Sequence, residues 1–72
     1  MTTELQQSIR QVRATLRGIK GAGRFTGAFQ RAQRHAKDAA MFEKRGATDA
    51  AFEKLALARE AANAAQALAA WA

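Results

Sequence analysis

Apolar residues recur along the first part of the chain at the spacing of an α-helix. Five of them follow one another at steps of four, three, four and three residues, which places them on one side of a helix. Thr3 and Gln6 stand at the spacing of a capping box just before this stripe. The pattern predicts an amphipathic helix 1 over about residues 4–20, with a stripe formed by Leu5, Ile9, Val12, Leu16 and Ile19.

Glycines interrupt this pattern. Four of the five glycines fall within residues 18–27, and each lowers helix stability by about 1 kcal/mol relative to alanine. No strand pattern precedes the segment and no Gly-Lys-Ser/Thr follows it, so it matches neither common nucleotide-binding glycine motif. We predict a glycine-rich hinge here, in preference to a loop that cradles phosphate with its backbone N–H groups.

Two further helices are predicted beyond the hinge. Helix 2 covers about residues 27–45 with Thr26 as its N-cap, and helix 3 covers about residues 49–70 with Thr48 as its N-cap. Gly46 suits the left-handed position that ends many helices. Because the connection is so short, helices 2 and 3 should form an antiparallel αα-hairpin.

The predicted fold is therefore all-α: one small three-helix domain over residues 1–72, in which the N-terminal amphipathic helix packs on the hairpin or exchanges with a second copy. Alanine supplies 20 of the apolar residues and there is no cysteine, so the core is thin and no disulfide supports it. We therefore expect a homo-oligomer or an obligate complex. Helix 3 carries two adjacent apolar stripes, wide enough for two neighbours: Leu55, Ala58, Ala62, Ala65 and Ala69, then Leu57, Ala61, Ala64, Leu68 and Trp71.

Positive charge is concentrated in the first half. Residues 1–37 hold eight lysines and arginines against one acid, whereas residues 38–72 are nearly neutral. Cations that recur along the faces of helices 1 and 2 can bind a phosphate backbone or an acidic protein surface. Arginine predominates among them, and its planar guanidinium group can donate two parallel hydrogen bonds to a phosphate or a carboxylate. A solvated polar face remains the alternative. The predicted anion-binding residues are Arg10, Arg13, Arg17, Lys20, Arg24, Arg31, Arg34 and Lys37.

Catalytic chemistry has little support in the sequence. His35 and Asp38 are too few for a specific metal site, and Ser8, the single serine, has no base near it in the sequence. We expect no enzymatic activity, no cofactor, no metal and no small-molecule substrate. No signal peptide and no membrane span is recognised, so we expect a cytoplasmic protein for which membrane binding is only a third option.

Two functions follow from these observations. The first is a small regulatory or inhibitory binding protein whose basic face engages nucleic acid or an acidic surface of a nucleoprotein complex. The second is a protein-only binder that occludes a host protein through apolar and aromatic anchors, of the kind that phages and mobile elements encode; buried aromatic residues dominate interface energies. The predicted partner or oligomer anchors are Phe25, Phe42, Phe52, Leu57, Leu68 and Trp71.

Overall fold

The computed structural model describes residues 3–21, 24 and 26–70. It contains three helices, α1 (Glu4–Gly18), α2 (Gly27–Lys44) and α3 (Thr48–Ala70), and no strand occurs within the described residues. Helices α2 and α3 pack closely along their length. The structure thus confirms the all-α three-helix fold and the helical hairpin. The two predicted anchors Phe25 and Trp71 lie outside the described residues.

Helix α1 begins with the predicted capping box. The Thr3 hydroxyl accepts a hydrogen bond from the Gln6 backbone N–H at 3.1 Å, and the Gln6 side-chain oxygen accepts one from the Thr3 N–H at 3.2 Å. The helix ends at Gly18, two residues before the predicted boundary, because Ile19 turns into an extended conformation. The Ile19 N–H bonds back to the Leu16 carbonyl, and its side chain stays buried in the core.

The connection between α2 and α3 lies one residue earlier in the chain than the sequence pattern predicts. Gly46 has a φ of +78°, and the Ala47 N–H bonds to the Phe42 carbonyl at 2.9 Å, the pairing of a Schellman motif. The carbonyl of Ala47 already accepts the first α3 hydrogen bond, from Ala51 at 3.0 Å. The prediction that Thr48 caps α3 is therefore wrong. Ala47 is both the last residue of the Schellman motif and the N-cap of α3, so Thr48 is the first residue inside the helix.

Alanine dominates the contact between α2 and α3. Five alanines from the two helices have no exposed surface: Ala32, Ala39, Ala51, Ala58 and Ala65. Methyl side chains let two backbones approach closely, but each buries little apolar surface. The bulky part of the core comes instead from the apolar stripe of α1 with Ile19, together with Phe29 on α2 and Leu55 on α3.

Helix α1 lies on the hairpin of its own chain and runs antiparallel to α2. Near the start of α1, the Gln6 Nε2 donates a hydrogen bond of 2.6 Å to Glu43 Oε1, close to the end of α2. The end of α1 lies near the start of α2, where Arg17 and Phe29 line one cleft. The side of α1 that carries its arginines thus borders α2, whereas its uncharged polar side borders α3.

Candidate nucleic-acid interface

The eight cations that the sequence predicts for anion binding are all exposed. Within the described part of the chain, none of them forms an ion pair with a carboxylate inside 4 Å. Guanidinium and ammonium groups without an internal partner keep their hydrogen-bond donors for an external anion. What distinguishes the eight cations is therefore where the fold places them.

Three arginines converge at one end of the groove between α1 and α2. Arg13 and Arg17 come from successive turns of α1, and Arg24 comes from the segment between the helices. With Gln33 of α2 they line a cleft of about 250 Å³, here called the arginine cleft. Its floor is apolar and consists of the buried side chains of Leu16, Phe29 and Ala36.

The aromatic ring at the floor of the arginine cleft orients one of its cations. The guanidinium carbon of Arg24 lies 5.6 Å from the centre of the Phe29 ring, within the range of a cation–π interaction. Phe29 is itself fixed because its side chain is buried and its N–H is capped by the Thr26 hydroxyl at 3.1 Å. Arg24 therefore has a defined position although it lies outside the helices.

The positive surface continues along the same groove towards the other end of α2. Arg13 also lines a second cleft of about 430 Å³ that includes Lys37, Lys44 and Arg45. Asp38 is the one carboxylate among its described lining residues. The two clefts share Arg13 and so form a continuous surface, here called the basic groove, whose cations are Arg13, Arg17, Arg24, Lys37, Lys44 and Arg45.

The sequence pattern missed two members of the basic groove. Lys44 and Arg45 belong to residues 38–72, which are nearly neutral overall, so the comparison of net charge between the two halves left them out of the predicted anion-binding residues. A signal was present, because Lys44 lies seven residues after Lys37 and two helical turns separate residues on the same face. Following the face of helix 2 to its end would have found Lys44.

The structure does not gather all eight predicted cations. Arg10, Lys20 and Arg34 are exposed but line neither cleft of the basic groove. Arg31 faces the opposite side of α2, in a groove shared with His35 and Glu60. His35 is half-buried there, and its Nδ1 atom has no hydrogen-bond partner among the described residues.

The predicted apolar anchors differ in exposure. Phe42 is half-buried and packs against the core, so its ring already contributes to the fold. Phe52, Leu57 and Leu68 are 49%, 41% and 50% exposed. Met41, which the sequence analysis did not select, is 40% exposed and lies in the basic groove.

The second apolar stripe of α3 is left without a neighbouring helix along much of its length. The sequence pattern predicted contact with helix 1 or another copy, but α1 lies on the other side, where Val12 and Ala62 line one cleft. The stripe borders the groove that holds Arg31 and His35. We call its described part the α3 seam: Leu57, Ala61, Ala64 and Leu68.

Metal-binding clusters and membrane-spanning helices are not found in the described part of the chain. Its histidine, aspartate and glutamate residues form no group of three that could hold a metal ion. None of the three helices, over the residues described, is both long and apolar enough to cross a membrane. No protein-family model matches the chain, and neither curated proteins nor solved structures show significant similarity to it.

Proposed function

We propose that this protein is a small non-enzymatic regulator or inhibitor that binds nucleic acid through the basic groove. The observation that carries the proposal is the gathering of six cations along one groove with a single carboxylate among them. A surface kept positive only for solubility has no need to collect its charges in a concave strip, where they repel one another. An extended polyanion offsets that repulsion along the whole strip.

The chemistry of the groove favours contact with phosphates over contact with bases. Four of its six cations are arginines, and their forked donors match two phosphate oxygens at a time. The described surface of the groove has no exposed aromatic ring for base stacking, since Phe29 is buried. Phosphate contacts give affinity without sequence information, so we expect little sequence preference.

Salt dependence tests this proposal directly. The molecule is 39 Å long, and at about 3.4 Å per base pair it covers no more than roughly 11 base pairs of duplex. Duplexes of about 12 base pairs and single strands of about 12 nucleotides are therefore long enough as probes. If the six groove cations each neutralise one phosphate, the log–log slope of affinity against salt is about −5 for duplex and about −4 for single strands.

Two other outcomes of the salt series would count against nucleic acid. Absence of binding to either probe at about 50 mM salt contradicts the proposal, because electrostatic association is strong under that condition. Binding to polyglutamate under the same buffer, without binding to either oligonucleotide, would instead favour the acidic surface of a protein partner.

The α3 seam supports a second candidate function, protein binding, with another copy of this chain as the partner that fits best. The order Leu57, Ala61, Ala64, Leu68 reads the same from either end, with steps of four, three and four residues. In an antiparallel two-fold pair of α3 helices, each leucine therefore meets a leucine and each alanine an alanine. Two-fold interfaces require self-complementary surfaces of this kind.

Sedimentation equilibrium over a range of protein concentrations tests the α3 seam. We expect a monomer–dimer equilibrium for the natural chain and a monomer at all concentrations for Leu57→Gln/Leu68→Gln. Phe52→Gln is the matched control, because Phe52 is an exposed apolar residue of α3 that lies instead beside Thr3 and Leu5. A natural chain that stays monomeric, or a control that dissociates as readily as the seam variant, would contradict this assignment.

A further inference from the structure

The arginine cleft differs from the rest of the basic groove in the density of its charge. Arg13 and Arg17 lie one helical turn apart, and like charges at that spacing oppose each other on a helix. Arg24 adds a third guanidinium to the same cleft of about 250 Å³. No carboxylate lines the cleft among the described residues, so the repulsion between these three cations is not offset within that part of the chain.

We propose that the arginine cleft binds the terminal phosphate of a nucleic-acid strand, so that the protein recognises strand ends. This inference rests on the proposed function and assigns the cleft a role distinct from that of the rest of the groove. A phosphodiester within a strand carries one negative charge, whereas a phosphate monoester carries about −1.5 to −2 at neutral pH and offers three strong acceptor oxygens. Three guanidinium groups offset that charge more fully than they need to offset one phosphodiester charge, and they provide one forked donor for each of the three oxygens.

The size and the walls of the arginine cleft also suit a terminal group. Its volume of about 250 Å³ falls below the range of about 300–1,000 Å³ typical of clefts that enclose drug-sized ligands. It therefore has room for a phosphate group between the three guanidinium groups. The apolar floor of Leu16, Phe29 and Ala36 supplies the lower dielectric in which charge-assisted hydrogen bonds become stronger.

The order of the cations along the groove is consistent with an end-binding mode. Arg24 precedes α2 and the arginine cleft lies beside the start of that helix, whereas Lys44 and Arg45 lie at its other end. Helix α2 has 18 residues, which correspond to about 27 Å at 1.5 Å per residue. A strand whose terminal phosphate is bound in the cleft can then contact Lys37, Lys44 and Arg45 with its following phosphates.

Binding of matched single strands tests the inference. The probes are DNA strands of about 12 nucleotides, identical except for a phosphate or a hydroxyl at the 5′ end, and a second pair that differs in the same way at the 3′ end. We expect about tenfold tighter binding of the phosphate-ended strand in at least one pair. Arg24→Gln should remove this preference, whereas binding of the hydroxyl-ended strands should weaken only as expected for the loss of one of the six groove cations.

The matched control is Arg45→Gln at the far end of the basic groove. This substitution removes one positive charge, as Arg24→Gln does. We expect it to lower the affinity for phosphate-ended and hydroxyl-ended strands by the same factor. Equal binding of the two members of both pairs by the natural chain overturns the end-binding inference and leaves the proposed function intact. Absence of binding to all four strands overturns the end-binding inference, and it overturns the proposed function as well if the duplex probe also fails to bind. Equal effects of Arg24→Gln and Arg45→Gln on the end preference overturn the assignment to the cleft.

Discussion

The double variant Arg13→Glu/Arg17→Glu should bind nucleic acid at least about 100-fold more weakly than the natural chain at about 50 mM salt. Arg13 lines both clefts of the basic groove and Arg17 lines the arginine cleft, so the two substitutions affect the whole surface. Each replaces a phosphate contact by a repulsion. The salt slope should fall in magnitude by about two units, roughly one for each lost contact.

The fold should survive this double substitution. Both arginine side chains are exposed, and neither forms an ion pair within the described part of the chain. Circular dichroism and a urea titration should therefore give an unchanged helix content and a nearly unchanged midpoint. A variant that keeps its affinity for nucleic acid would exclude the basic groove as the binding surface.

The matched control reverses the same amount of charge on another face. Lys54→Glu/Arg59→Glu changes the net charge by the same four units, but both residues lie on α3, and Arg59 borders the uncharged polar side of α1. Neither residue lines a cleft of the basic groove. We expect a much smaller loss of affinity, because these two residues attract the polyanion only over a long distance, where salt screens the interaction. Equal losses in both double variants would show that total charge governs binding and that the groove does not.

Leu55→Ala should be the most destabilising single truncation in α3. Leu55 is 3% exposed and is the only bulky residue among the buried residues of that helix, the others being alanines. Truncation of a buried leucine lowers the free energy of unfolding by about 2–5 kcal/mol. Native proteins have a free energy of unfolding of about 0.05–0.15 kcal/mol per residue, which gives about 4–11 kcal/mol for a 72-residue chain. Leu55→Ala should therefore remove a large share of the free energy of unfolding.

Leu57→Ala is the control for this truncation, because it makes the same chemical change two residues further along the same helix. Leu57 is 41% exposed, and we expect a loss of about 0.5 kcal/mol or less at concentrations where the chain is monomeric. Urea unfolding followed by circular dichroism measures both variants. Equal losses for the two variants would mean that the core does not depend on Leu55 as the structure implies.

Local features of the fold were accessible from the sequence because they depend on residues a few positions apart. The Thr3–Gln6 capping box, the Thr26 cap and the position of Gly46 at the end of α2 are confirmed. Thr48 is the exception among them. Its role as a cap depended on the register of the turn, and α3 begins one residue earlier than the pattern predicts, because the Ala47 carbonyl already accepts the first hydrogen bond of the helix.

The distribution of the cations was less accessible because it depends on which side of each helix meets its neighbours. The spacing of Arg13 and Arg17 placed them beside the apolar stripe of helix 1, but did not say that α2 lies on that side. The same missing information hid the separation of Arg31, which faces α3, from Lys37, which faces the basic groove. Helical periodicity gives the faces of an element, whereas only the packed arrangement gives the neighbours of those faces.

Because α1 contributes both to the core and to the basic groove, the proposed binding of a polyanion would be linked to the stability of the fold. This helix provides most of the bulky side chains of the core on one side and two arginines of the basic groove on the adjacent side. A polyanion held across the groove bridges α1 and α2 and opposes the detachment of α1 from the alanine-lined hairpin. Ligand occupancy and docking of α1 are therefore thermodynamically linked, and the chain gains stability in proportion to the logarithm of the free ligand concentration above its dissociation constant.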